Sequence, residues 1–326
     1  MLIRVLAAAM VAVSALPAGA AVMVLGGGPP GSIVEAIAGA VPGALPGDRH
    51  VVVERPAPDA DPLEALEHGR AAAAMVHGDT FRNAAKQSSA IADLDYFPLR
   101  RACFVLLVPK GPVAADAAAL LTAAAAPSGG AIDIGATGSL TAGSWAVLKA
   151  AHPALASIRT ETRGGMRAVA RLLNQQVSAV LLSSLEIVPG DVATNAVIDG
   201  LAQMIPLSGE ALWQSADAAG LGYQRRQLTI EDAKGGGPKL TEAALCTDLG
   251  IAVSDAASPG LSEAIAVAAS EKRLSGDSRS LMDSISDLWS ISVSEAAGVI
   301  GQALKKGSQS AHEAAHEFAP RWFARP

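Results

Sequence analysis

The stretch "VMVLGGGPPGSIVEAIAG" (Val22–Gly39) decides how the rest of the chain is read. Four apolar residues make a short strand, the run Gly26 to Gly31 a turn, and the apolar spacing after Ser32 a helix. N–H groups at such a helix start lack intrahelical partners and favour anions, while glycines admit a ligand close to the backbone. Gly26-x-Gly28-x-x-Gly31 also satisfies the dinucleotide fingerprint literally, and Glu54 closes the next strand where an acid would hold a ribose. The loop is therefore either a dinucleotide cradle or one lip of a ligand cleft.

Upstream, residues 1–20 have the three parts of an export signal: Arg4, the apolar run Val5–Leu16, and small residues at Ala18-Gly19-Ala20 for cleavage near Ala20. No twin arginine precedes the run, so the expectation is unfolded export to the periplasm. Half of the 326 residues are hydrophobic but only 3% are aromatic, enough for about two domains with cores of small side chains. The formal charge of −6, with no long basic run, argues against a nucleic-acid partner.

Downstream, strand and helix patterns alternate, the mark of an α/β protein. His50–Glu54 reads as a strand, and Asp61-Pro62 as a helix start that Gly69 ends. Ala71–Val76 is a strand ending at His77-Gly78-Asp79, and Phe104–Val108 is another. Ala131–Ile134 reads as a strand leading into a second small-residue turn, Gly135 to Ser144, and then a helix from about Ser144 to Ala151. Strands follow at Ile158–Glu161, Val177–Leu182 and Leu245–Val253, with a helix at Met166–Leu173. The stretch Leu207–Ala243, containing Gly235-Gly236-Gly237, reads as irregular and mobile. Cys103 and Cys246 are the only cysteines; they are either a disulfide or two buried small hydrophobes.

Two family resemblances follow from these motifs. Val24–Pro56 resembles the opening of a flavin-dependent oxidoreductase, but no later strand–Gly-Asp segment resembles that family's second flavin contact. The second covers nearly the whole chain after the signal. "LEHGRAAAAMVHGD" (Leu66–Asp79), "FPLRRACFVLLVPKG" (Phe97–Gly111), "IDIGATGSLTAGSWAVLKAAHP" (Ile132–Pro153) and "GGMRAVARLLNQQVSAVLL" (Gly164–Leu182) carry it in order. Together they resemble type 2 periplasmic solute-binding proteins, and within them TAXI-family receptors of TRAP transporters. Ser178 stands where that family often has Asp, and Pro29-Pro30 departs from its usual Gly-Thr-Gly loop.

That resemblance implies a two-lobed α/β fold, each lobe a sheet flanked by helices, with two crossover hinge strands near Val108 and Leu245. Residues 21–108 and 245–326 would form lobe 1, and 109–244 lobe 2. It further implies a monomeric, non-enzymatic receptor without cofactor or metal. Such a receptor captures a small anionic solute, a carboxylate, for a TRAP-type membrane permease. Gly31 and Ser32 would reach the cleft from one lobe, and Gly138, Ser139 and Thr141 from the other. His77 and Asp79 line the cleft or close a turn, and Arg163 is a cation for the ligand or a solvated loop residue. Trp145 reads as packing beneath a helix. His312-Glu313-Ala314-Ala315-His316 matches the HExxH zinc signature, but its place so late in the chain leaves little room for a third ligand downstream.

Overall fold

The computed structural model describes residues 22–45, 50–56, 60–111, 116–188, 190–230 and 240–274. The segment read as an export signal, the Gly235–Gly237 run and the His312–His316 motif lie outside the described residues. The first strand, β1 (Val22–Leu25), leads through the glycine turn into α1 (Ile33–Ala44), whose N-cap Ser32 accepts from the Glu35 N–H. Next come β2 (Val51–Glu54) and α2 (Pro62–Glu67), the latter capped by Asp61 with proline in its first turn. The buried strand β3 (Ala73–His77) runs directly into α3 (Gly78–Ala85), followed by the short α4 (Ser89–Ala92).

The long strand β4 (Asp95–Pro109) then crosses to the second lobe. There the chain forms α5 (Ala117–Ala125), β5 (Ile132–Asp133), α6 (Leu140–Ala151) and a 3-10 turn at Pro153–Leu155. It continues through β6 (Thr160–Glu161), α7 (Gly165–Leu173), β7 (Ala179–Ser183), α8 (Val192–Ile198) and β8 (Ala202–Pro206). After α9 (Glu210–Ala218) and β9 (Gln224–Ile230), β10 (Leu240–Val253) returns to the first lobe and α10 (Leu261–Ser270) packs there. The stretch 207–243, read from sequence as irregular, thus carries a helix, a strand and the start of β10, with residues 231–239 outside those described.

The strand order β2-β1-β3-β10-β4-β7-β5-β6, with β8 on β4 and β9 on β10, shows how two lobes arise from one path. β1 pairs in parallel with β2 and β3, whereas β10 is antiparallel to β3 and β4. β4 changes partners within its length. Its first part, through Cys103, pairs with β10, and from Phe104 onward it pairs with β7 and β8. β10 likewise pairs with β9 up to Cys246, with β4 from Cys246 onward and with β3 from Leu249 onward. Two continuous strands therefore cross side by side between lobes, and a disulfide joins Cys103 to Cys246 where they cross. Each lobe has its own core: Val24, Ile37, Met75 and Ile251 lie in the first, Phe104, Leu106, Trp145 and Leu181 in the second.

Candidate functional site

A cavity of about 320 Å³ lies between the lobes. From lobe 1 it is lined by Asp61 at the head of α2 and by His77 and Thr80 at the β3–α3 junction. From lobe 2 it is lined by the turn Thr137–Leu140, by Gly143 on α6, and by Thr162. The lobes meet beside it: Gly27 abuts Leu140, and Gly31 abuts Val188. Leu140 and Leu185 of lobe 2 are buried in the core cluster of lobe 1.

The lobe 2 lip is built by a carboxylate inside the protein. Buried Asp133, at the end of β5, accepts from the N–H groups of Gly135, Arg163 and Gly164 at 3.0, 3.0 and 3.1 Å. Positive φ at Gly135 (90°) and Gly138 (77°) turns the chain into α6, a conformation that side chains with Cβ resist. Ser139 caps α6 by accepting from the Ala142 N–H at 3.2 Å, and the Gly143 N–H donates to the Ser139 carbonyl. The Leu140 and Thr141 N–H groups, earlier in that first turn, have no intrahelical acceptor. The Thr141 hydroxyl turns away from the cavity and donates to Glu186, whose carboxyl is pushed well above its ordinary value by burial.

The lobe 1 wall rests on a buried polar network. His77 is fully buried; its Nδ1 lies 2.9 Å from the Ser144 hydroxyl of α6, and its ring meets Phe104 edge-on. Ser144 in turn donates to Asp79 Oδ1 at 3.1 Å, and the Tyr223 hydroxyl donates to Oδ2 at 2.5 Å. The Asp79 N–H donates to Thr247 on β10. Burial lowers the His77 pKa, against the opposing pull of the Asp79 charge and the Leu140 backbone. The Tyr223 hydroxyl is held protonated by burial and by the adjacent Asp79. Two atoms on this wall have no hydrogen-bond partner despite full burial: His77 Nε2 and Thr80 Oγ1.

The other residues singled out in the sequence sit elsewhere. Ser32 is buried as the cap of α1, and the Gly31 N–H donates to Glu35 Oε2 at 2.6 Å. The chain's own carboxylate thus already occupies the N-terminus of α1. A Cβ at Gly26 would fall 2.6 Å from that of Ala38, and one at Gly28 2.7 Å from that of Val34. These glycines allow strand and helix to pack closely, and lobe 2 covers the loop at Gly27 and Gly31. That geometry leaves no cradle for a dinucleotide, so the flavin reading is not favoured. Arg163 is exposed, bound to Asp133 through its backbone, and lies outside the cavity lining. Trp145 is buried in the core of lobe 2.

Among the described residues, no lining side chain is a lysine or arginine, and Asp61 is the lining carboxylate. Nor does any group of three or more His, Cys, Asp or Glu among them have the placement to hold a metal ion. No described helix is long and apolar enough to cross a membrane. The sequence reading missed Thr80, Ser144, Tyr223 and Asp133. Thr80 was the most accessible of these, one residue past the His77-Gly78-Asp79 strand end.

No family model and no curated protein sequence matches the chain. Among solved structures it is similar to the substrate binding protein of an amino acid ABC transporter, at 11% identity over 81% of this chain and 97% of that one, with a TM-score of 0.46. It is similar to a TctC solute binding protein from Polaromonas at 17% identity, over 80% and 87% of the two chains, with a TM-score of 0.41. The reduced OxyR regulatory domain from Pseudomonas aeruginosa is 14% identical over 78% and 96%, with a TM-score of 0.43. At such identities and TM-scores a likeness says nothing of what the cleft holds, which its own residues must tell.

Proposed function

We propose that this chain is a periplasmic solute receptor that closes its lobes around a small carboxylate-bearing solute and presents it to a membrane transporter. The observation that carries the reading is the cavity of about 320 Å³ lined by both lobes, with the first turn of α6 in its wall. A volume of this size suits a metabolite of a few to a dozen heavy atoms. The solute carboxylate would sit at the Gly138–Leu140 turn, where first-turn N–H groups and the helix dipole favour an anion. Among the described residues the lining offers no lysine or arginine, and the Asp61 carboxylate stands within it. This favours solutes with a single carboxylate over multiply charged anions.

The reading of residues 1–20 as an export signal supports a periplasmic receptor, and the TAXI resemblance supports a TRAP-type permease as its partner. Capture between two lobes joined by two strands is a hinge device, so the transporter would read the closed state. A thermal-shift screen with small organic acids tests the reading. Stabilisation growing with concentration is expected, by RT ln(1 + [L]/Kd). A folded protein unmoved by every acid up to millimolar concentration would refute it.

A further inference from the structure

We propose that His77 and Thr80 make the cleft selective for small acids that also carry a hydrogen-bond donor, a hydroxyl or an amine, beside the carboxylate. This rests on the receptor reading and adds the chemical class of the solute. Ser144 has one hydroxyl proton and gives it to Asp79 Oδ1. The Ser144 oxygen, 2.9 Å from His77 Nδ1, therefore accepts there, and Nδ1 must carry the ring proton. In the neutral ring that leaves Nε2 as a lone-pair acceptor.

That acceptor is buried, lies on a residue lining the cavity, and has no hydrogen-bond partner. Thr80 Oγ1, one turn of α3 away on the same wall, is likewise buried and unpartnered. A buried polar atom without a partner is a site awaiting one. A solute hydroxyl would donate to Nε2 and accept from Thr80, whereas an amine would donate to both. A hydrogen atom at that position satisfies neither atom, and a carbonyl oxygen can accept from Thr80 but sets a lone pair against that of Nε2. A site built to hydrogen-bond a substrate group rejects the analogue lacking it more strongly than an apolar pocket rejects a missing methylene.

Calorimetric titration of the purified full chain with lactate, alanine, propionate and pyruvate tests this. Lactate or alanine is expected to bind at least tenfold more tightly than propionate and pyruvate, and the better of the two identifies the donor. Thr80→Val and His77→Phe should each reduce that preference, the first without disturbing the buried network. Imidazole nitrogen NMR of the wild-type protein should show His77 protonated on Nδ1, with the Nε2 resonance shifting on ligand addition. Equal binding of lactate and propionate, or a ring protonated on Nε2, would overturn the inference and leave the receptor reading standing. Failure of all four acids, and of the wider acid screen, would remove the receptor reading itself.

Discussion

Removing the Cys103–Cys246 disulfide should destabilise the chain by several kcal/mol, and the loop it closes sets the size. The two cysteines are 143 residues apart in sequence. Loop-closure entropy for a loop of that length is about 17 cal/mol/K, or about 5 kcal/mol at 25 °C. Residual structure in the unfolded chain lowers what is measured, so a loss of about 3–5 kcal/mol is expected. For a domain of this size that is a fall in Tm of roughly 10 °C. Packing adds little to this figure, because both side chains sit in a small cluster with Ala244 and Leu228.

The assay is guanidinium unfolding of oxidised wild type, reduced wild type and the Cys103→Ala/Cys246→Ala variant. The last two should unfold at similar midpoints, well below the first. Their larger m-values would report a more expanded unfolded state. Coincident midpoints for all three, within about 1 kcal/mol, would refute the entropic argument and the pairing of the crossing strands at these residues.

Other expectations follow from the carboxylates and from the bonds between lobes. Asp133→Ala strips the acceptor from three backbone N–H groups and should cost about 3–5 kcal/mol in denaturant unfolding. Burial raises the Glu186 pKa above 4.5, so the native chain keeps a proton that the unfolded chain releases. Its contribution is then lost as pH rises from 4.5 through the folded value, and Glu186→Gln should remove that slope from a plot of urea midpoint against pH. His77 has the opposite sign: its pKa is lowered from 6.5, so stability falls as pH drops from 6.5 through the folded value. Arg82 and Lys86 of α3 donate to the carbonyls of Leu221 and Ala219 just beyond α9, both at 2.6 Å. The double variant Arg82→Ala/Lys86→Ala should shift the population towards open lobes, seen as a larger radius of gyration in small-angle scattering.

How much was legible in the sequence depended on the range of the interaction that formed each element. Starts of α1 and α2 were readable because Ser32 and Asp61 cap their own helices within three residues, whereas α6 starts at Leu140, four residues before the helix read from sequence, because Ser139 caps it inside the small-residue turn. β9 was not, because Gln224-Arg225-Arg226-Gln227 carries no apolar alternation and becomes a strand by pairing with β10. The first half of β4 was hidden by Pro98, which the sheet accommodates opposite Gly250, where the ladder breaks register beside Leu249. In the site, His77 and Gly138-Ser139 were found as strand-end and turn residues. Asp133, Ser144 and Tyr223 were not, since the bonds that bring each to the site, from Arg163 to Asp133, from Ser144 to Asp79 and from Tyr223 to Asp79, span 30 or more residues and no local pattern announces them.

The same long-range bonds tie closure to ligand chemistry. Asp79 belongs to lobe 1, but its oxygens are satisfied by Ser144 from lobe 2 and by Tyr223 ahead of β9. Opening the lobes would hand Asp79, His77 and Thr80 back to water, which supplies every partner they need. Closure around an empty cavity satisfies Asp79 but leaves His77 Nε2 and Thr80 Oγ1 unpartnered, at about 1–3 kcal/mol each. A ligand that fills both positions removes that penalty only in the closed state. A differential of that kind is what shifts a two-state equilibrium, whereas equal affinity for both states would shift nothing. The donor requirement and the closing motion are thus set by the same two atoms, and a solute without a donor would bind weakly because it cannot hold the lobes together.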